Sequence, residues 1–187
     1  MLKITFSDND KELIKSFAPK FDIGGYSNLS KNDLAKASRL DFQYTGLYGE
    51  LAWNIFRYKS SERFKDLLDY KFDTCKKAST GDFGFDDSIT ANNKTRYIDI
   101  KSSYSKDEER IKYLNLIVPQ KEYHPNMIYI AAFTIGKSRT DIDYAIISGW
   151  CINEDLKTKW KLDPNKFSME TSKLRPIDDL KQYIWNQ

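Results

Sequence analysis

Two aspartates and a lysine stand where a short hairpin would bring them together. Residues 82–101 read Asp-Phe-Gly-Phe-Asp-Asp-Ser-Ile-Thr-Ala-Asn-Asn-Lys-Thr-Arg-Tyr-Ile-Asp-Ile-Lys. Asn92-Asn93 suits a two-residue turn, because asparagine tolerates positive φ. A turn centred between them sets Asp86 opposite Asp99, with β-carbons about 4.5–5.5 Å apart. Strand alternation then puts Lys101 on the face of Asp99, across from the open space of Gly84. That face carries Asp82, Gly84, Asp86, Ser88, Tyr97, Asp99 and Lys101; the other carries Phe83, Phe85, Ile89, Ile98 and Ile100. Asp87 falls on the apolar side, so it is expected near the sheet edge with Arg96 as its partner. Facing carboxylates repel unless a proton or a cation joins them. All-oxygen donors suit a hard cation, Mg²⁺ or Mn²⁺. A lysine beside that cation can orient or help deprotonate a water, or stabilise charge on a phosphate. Together these groups suit hydrolysis of a phosphodiester. The same residues also suit an ordinary amphipathic hairpin whose polar face meets solvent, and residue types alone leave both readings open.

Gly84-Phe-Asp86, followed by Tyr97-Ile-Asp99-Ile-Lys101-Ser-Ser, resembles the paired motif of the PD-(D/E)XK nuclease superfamily. Upstream, Gly46-Leu-Tyr-Gly-Glu50 resembles the glutamate-bearing helix often found in that superfamily. The resemblance spans roughly residues 44–150. Phe85 stands where the naming proline would be, which leaves Asp86 and Asp87 both eligible, and the second acid is Asp99 rather than the more usual glutamate. The resemblance implies an α/β fold with a central mixed β-sheet flanked by helices, restriction-endonuclease-like. It implies a Mg²⁺-dependent deoxyribonuclease, with Mn²⁺ as a possible substitute, acting on DNA. Asp86 and Asp99 would be metal ligands, Glu50 an auxiliary ligand or water positioner, and Lys101 the residue that orients or activates water. One such site cuts one strand, so a homodimer suits duplex cleavage. The alternatives on the same fold are a catalytically silent nucleic-acid-binding or interaction module, and a junction resolvase or exonuclease.

The positioning elements follow from periodicity. Residues 44–58 read as a helix whose apolar stripe is Tyr48, Leu51, Ala52, Ile55 and Phe56, with Glu50, Trp53, Asn54 and Arg57 on the neighbouring face. Gly46 and Gly49 remove bulk and let this backbone approach a sheet. Ser7 precedes Asp10 by three, a capping-box start for a helix to about residue 17. Shorter helices are expected over residues 34–40 and 60–68, and a first strand over residues 70–75. Residues 102–112 are polar and charged and read as a loop or flap at the mouth of the site. The apolar run 113–118 stops at Pro119. Residues 127–135 read as a buried central strand, and 143–148 as a further strand ended by Gly149. A short helix is expected over 153–159, an irregular stretch over 160–176, and a last helix from Pro176 to about residue 185.

At 187 residues the chain suits one nuclease-like domain: a helical N-terminal part (1–43), a core (44–150) and a C-terminal extension (151–187). Lys+Arg number 30 against 27 Asp+Glu, so any basic surface must be local. His124 is the sole histidine, which leaves Ser-His-Asp and HExxH schemes with almost no support, and it reads as a loop residue. Cys75 and Cys151 lack metal-type spacing and suit a reduced, cytoplasmic setting. No apolar run reaches membrane-spanning length.

Overall fold

In the computed structural model, residues 1–18, 39–58 and 85–186 are described. The expected helices over 34–40 and 60–68, the strand over 70–75, Cys75, and Asp82, Phe83 and Gly84 lie outside these residues, except that positions 39 and 40 open a longer helix.

The chain is α/β. Its main sheet is built from β1 (Leu2–Thr5), β2 (Asp87–Ala91), β3 (Lys94–Ser105), β5 (Met127–Ser138) and β6 (Asp141–Ile152), in the order β1-β6-β5-β3-β2. The sheet is mixed: β3 runs parallel to β5, and the other pairings are antiparallel. A second, antiparallel sheet has the order β4-β8-β7, from β4 (Asn115–Pro119), β7 (Thr158–Trp160) and β8 (Asp163–Glu170). The helices are α1 (Asp8–Phe17), α2 (Arg39–Tyr58) and α3 (Asp179–Trp185).

The apolar run of β5 has a simple cause: both faces of the main sheet are covered. On one face, Ile98, Ile100, Ile128, Ile130, Ala132 and Ile147 pack with Trp53 of α2 and Ile177, Leu180 and Ile184 around α3. On the other, Met127, Tyr129, Ala131, Phe133 and Ile146 meet Leu116 and Val118 of β4, with Leu156. Each fully buried isoleucine contributes about 1.5–3 kcal/mol. A third cluster joins α1, α2 and β6 through Ile14, Leu47, Tyr48, Leu51, Ile142 and Ala145. The capping box at Ser7 and Asp10 is present, with Ser7 Oγ accepting from the Asp10 amide at 3.2 Å. At Gly49 the helix lies so close to β3 that a Cβ would sit 1.7 Å from Ser102 Oγ, whereas Gly46 has open space.

The hairpin turn is as the Asn pair dictates: Asn92 and Asn93 have φ of 50° and 59°. The ladder pairs Asp87 with Ile98 through Ala91 with Lys94. At its far end the alternation breaks. The Asp86 amide also donates to the Ile98 carbonyl at 2.7 Å, so Asp86 and Asp87 both face Ile98 in a bulge. Direct opposition of Asp86 and Asp99 therefore does not occur. Phe85, expected on the apolar hairpin face, instead packs on Tyr97 with ring centroids 4.6 Å apart, on the side of Tyr129.

Five further expectations are corrected. Residues 102–105 continue β3, and Glu108–Tyr113 forms a 3₁₀ turn held by Glu108 to Lys3 and Tyr144 rather than a free flap. Gly149 lies inside β6, where a bulge between the pairs Ala131–Gly149 and Ala132–Ile147 absorbs Ser148. At φ 156° a Cβ there would lie 2.5 Å from the Arg175 carbonyl oxygen, which pairs with Trp150. Residues 158 and 159, expected in a helix, belong to strand β7, and residues 160 and 163–170, expected to be irregular, belong to strands β7 and β8. Residues 2–5, assigned to a helical part, form an edge strand on β6.

Candidate functional site

The cluster sits on β3. Asp99 and Lys101 alternate with Ile98 and Ile100, so they point away from α2 and toward the face of their β5 neighbours Tyr129 and Ala131. The Asp99 side chain is 7% exposed and the Lys101 side chain 21%. Lys101 Nζ lies 2.7 Å from Asp99 Oδ2. This contact is a close ion pair. The same ammonium donates to Glu122 Oε2 at 2.7 Å. Asp86 enters from the bulge, and its Oδ2 accepts from the Ile100 amide at 2.6 Å. That bond pins a second carboxylate to the strand one residue beyond Asp99.

Electrostatics follow from burial and from these partners. Burial raises the Asp99 pKa from its ordinary 3.8 to about 7, with Asp86 and Glu122 adding to the rise and Lys101 opposing it. Burial works against the Lys101 ammonium, but attraction to Asp99 and Glu122 outweighs it, so the lysine pKa rises. Lys101 is thus a permanent cation in this setting. It can donate hydrogen bonds and stabilise negative charge, whereas removing a proton from water would need its neutral form.

Glu122 is the residue that sequence reasoning missed. It ends the 3₁₀ turn Gln120–Glu122, which buried Tyr129 anchors by donating from its hydroxyl to the Glu122 carbonyl at 2.7 Å. Its contact with Lys101 spans 21 residues, and no local spacing announces it. His124, exposed next to this turn, supplies its backbone N–H to the Tyr129 hydroxyl at 3.2 Å.

Glu50 lies on α2 and is half-buried. It shares a helix side with Trp53 and Arg57, at i, i+3 and i+7, and those two reach the start of β2. The main sheet therefore lies between α2 and the side chains of Asp99 and Lys101, and the start of β2, beside Asp86, is where the two sides approach. Asp87 is held on the helix side: Trp53 Nε1 donates to its Oδ2 at 2.8 Å, and the Arg57 guanidinium makes a short ion pair with the same oxygen. Its partner is thus Arg57, not Arg96. Arg96 lies against the Tyr183 ring instead.

The donor set tests whether Mg²⁺ fits. Asp86 and Asp99 are hard oxygen donors on one strand edge, and Mg²⁺ is commonly held by one or two carboxylates, with waters and phosphate oxygens completing its shell. Donor chemistry of this kind suits Mg²⁺. Among the described residues, no group of three or more His, Cys, Asp or Glu side chains is arranged to hold a metal ion. A cavity of about 330 Å³ opens elsewhere, at the start of β3 and β5, lined by Lys94, Arg96, Asn126, Asn153, Glu154 and Tyr183 among others. It includes none of the residues of the Asp99 cluster. Among the described residues, no helix is long and apolar enough to cross a membrane. Comparison with protein-family models, with curated proteins and with solved structures finds no match for this chain.

Proposed function

We propose that this chain is a metal-dependent deoxyribonuclease with a restriction-endonuclease-like core that hydrolyses DNA phosphodiester bonds. The observation that carries the reading is the buried Asp99–Lys101 pair, two residues apart on one strand face, with the Asp86 carboxylate pinned to the same strand. A mixed sheet with a parallel β3–β5 pair, backed by α2, supports the fold half of the reading.

In this mechanism Asp86 and Asp99 would hold Mg²⁺, or Mn²⁺ in its place. When bound, the ion supplies Lewis-acid charge to a phosphate oxygen and makes a bound water more acidic. Lys101, kept as an ammonium by its two acids, orients the attacking water and stabilises charge developing on the phosphate. Glu122 positions that ammonium. Glu50 is an auxiliary group that approaches at the start of β2. A homodimer would supply a second site for the second strand.

A specific observation favours the competing reading of a catalytically silent nucleic-acid-binding module: Lys101 by itself neutralises much of the charge of Asp99 and Glu122. Incubation with supercoiled, linear and branched DNA separates the two. Cleavage is expected with Mg²⁺ or Mn²⁺. Ca²⁺ should support binding with little cutting, because its looser coordination does not hold the reacting groups. Equal cleavage in excess EDTA would overturn the metal mechanism, and binding without cleavage in any metal would favour the silent module. Lys101→Ala should lose most cleavage while DNA binding persists.

A further inference from the structure

The residues entering the β7–β8 hairpin form a local run of positive charge. Lys157, Lys159 and Lys161 alternate with Thr158 and Trp160, and no acid stands between Leu156 and Leu162. Over the hairpin as a whole, residues 158–170, Lys159, Lys161 and Lys166 stand against Asp163 and Glu170. A two-residue turn at Lys161-Leu162 lifts the tip into solvent, with Leu162 80% exposed. Lys157 through Lys161 are therefore a local basic projection, which is the distribution that attracts a polyanion.

Its position is fixed relative to the Asp99 cluster. Lys159 Nζ donates to Gln120 Oε1 at 2.8 Å, and Gln120 opens the turn whose last residue, Glu122, holds Lys101. Behind it, Tyr123 packs on Phe167 with ring centroids 4.9 Å apart. The aromatic rings of the hairpin are already covered: Lys159 lies 3.8 Å above the Phe167 ring and Lys166 5.4 Å from that of Trp160. Rings covered by ammonium groups are poor platforms for unstacked bases. Lys166 is also paired with Asp163 at 3.4 Å, so Lys157 and the exposed Lys161 are the ammonium groups best placed to meet phosphates. The surface therefore suits the backbone of a duplex better than a splayed single strand.

We infer that the β7–β8 hairpin is a binding wing for the phosphate backbone of double-stranded DNA, holding the duplex beside Lys101. The inference rests on the nuclease reading for its substrate and not for its charge. The test is fluorescence anisotropy of a short labelled duplex over a salt series, for the wild type, for the triple variant Lys157→Ala/Lys159→Ala/Lys161→Ala, and for the control Lys137→Ala/Lys181→Ala. The triple variant should bind at least about 10-fold more weakly and lose roughly one unit of salt slope per lysine removed. The control should bind as the wild type does. Lys161→Glu at the exposed tip repeats the test with no packed side chain altered, and should also weaken binding. Cleavage assays on the same proteins separate the two ideas. Binding that depends on the hairpin, without cleavage in any metal, keeps the wing and ends the nuclease reading. Mg²⁺-dependent cleavage with unchanged affinity and salt slope in the triple variant keeps the nuclease and overturns the wing, as does a wild type that does not bind duplex DNA.

Discussion

Asp87 and Asp99 lie on neighbouring strands, with side chains 10% and 7% exposed, yet they have opposite surroundings. Asp87 receives Trp53 Nε1, the Arg57 guanidinium and the Ser88 amide. Asp99 has one ammonium, shared with Glu122. Equal burial with different partners separates a carboxylate that fastens a helix to a sheet from one held by a shared ammonium. A buried polar group without its full set of bonds is costly, and such cost concentrates at functional sites.

The largest expected effect is on Asp99. Asp99→Asn should reduce Mg²⁺-dependent cleavage at least ~100-fold, since even supporting groups around a metal are worth about 10–100-fold. Its urea midpoint should be no lower than that of the wild type, because a buried carboxylate is removed while Lys101 keeps Glu122. Asp86→Asn should behave the same way. A folded Asp99→Asn variant that still cuts breaks the comparison at its functional half.

Asp87→Asn should do the reverse. Losing the charged partner of Arg57 and Trp53 should lower unfolding free energy by about 2–3 kcal/mol, read by urea titration, with cleavage per folded molecule retained. If this variant is instead well folded and inactive, the roles of the adjacent aspartates are exchanged. Glu50→Gln is the smaller test, since α2 also carries the partners of Asp87. A loss of about 10-fold in cleavage without a stability change assigns Glu50 to the Asp99 site; a stability loss alone assigns it to the helix contact.

The smallest effect is on pH. The folded pKa of Asp99 is raised from 3.8 to about 7, so the folded state holds this proton more tightly than the unfolded chain. Its contribution to stability is full below about pH 4 and is lost as pH rises toward 7. In metal-free buffer the wild type should lose stability relative to Asp99→Asn across that window. Parallel curves for the two proteins would show that Asp99 is not perturbed.

Much of this geometry was legible because it is local. The Asn92-Asn93 turn, the register from Asp87 to Ala91, the capping box at Ser7 and the close approach at Gly49 each depend on a few adjacent residues. The alternation of Asp99 and Lys101 against Ile98 and Ile100 likewise follows from period two. What escaped depends on distant partners. The bulge at Asp86 is set where β2 ends against β3, Glu122 meets Lys101 only through the turn before β5, and Arg57 takes Asp87 across 30 residues. Strand β7 has only three residues and β8 begins Asp-Pro-Asn-Lys, so their pairing leaves little trace in hydrophobic pattern.

The edge strand β1 has a consequence for how the chain is made. Leu2 pairs with Ile147 and Thr5 with Tyr144, so the first strand has no docking site until β6 exists. A ribosome adding about 5–20 residues per second emits residues 2–5 roughly 7–30 s before that partner. Through this interval the segment must remain undocked, and the apolar flank of β6 that it covers is completed by sequence made long before. Docking of this edge therefore waits on the synthesis of β6, and its long-range contacts are of the kind that slow folding.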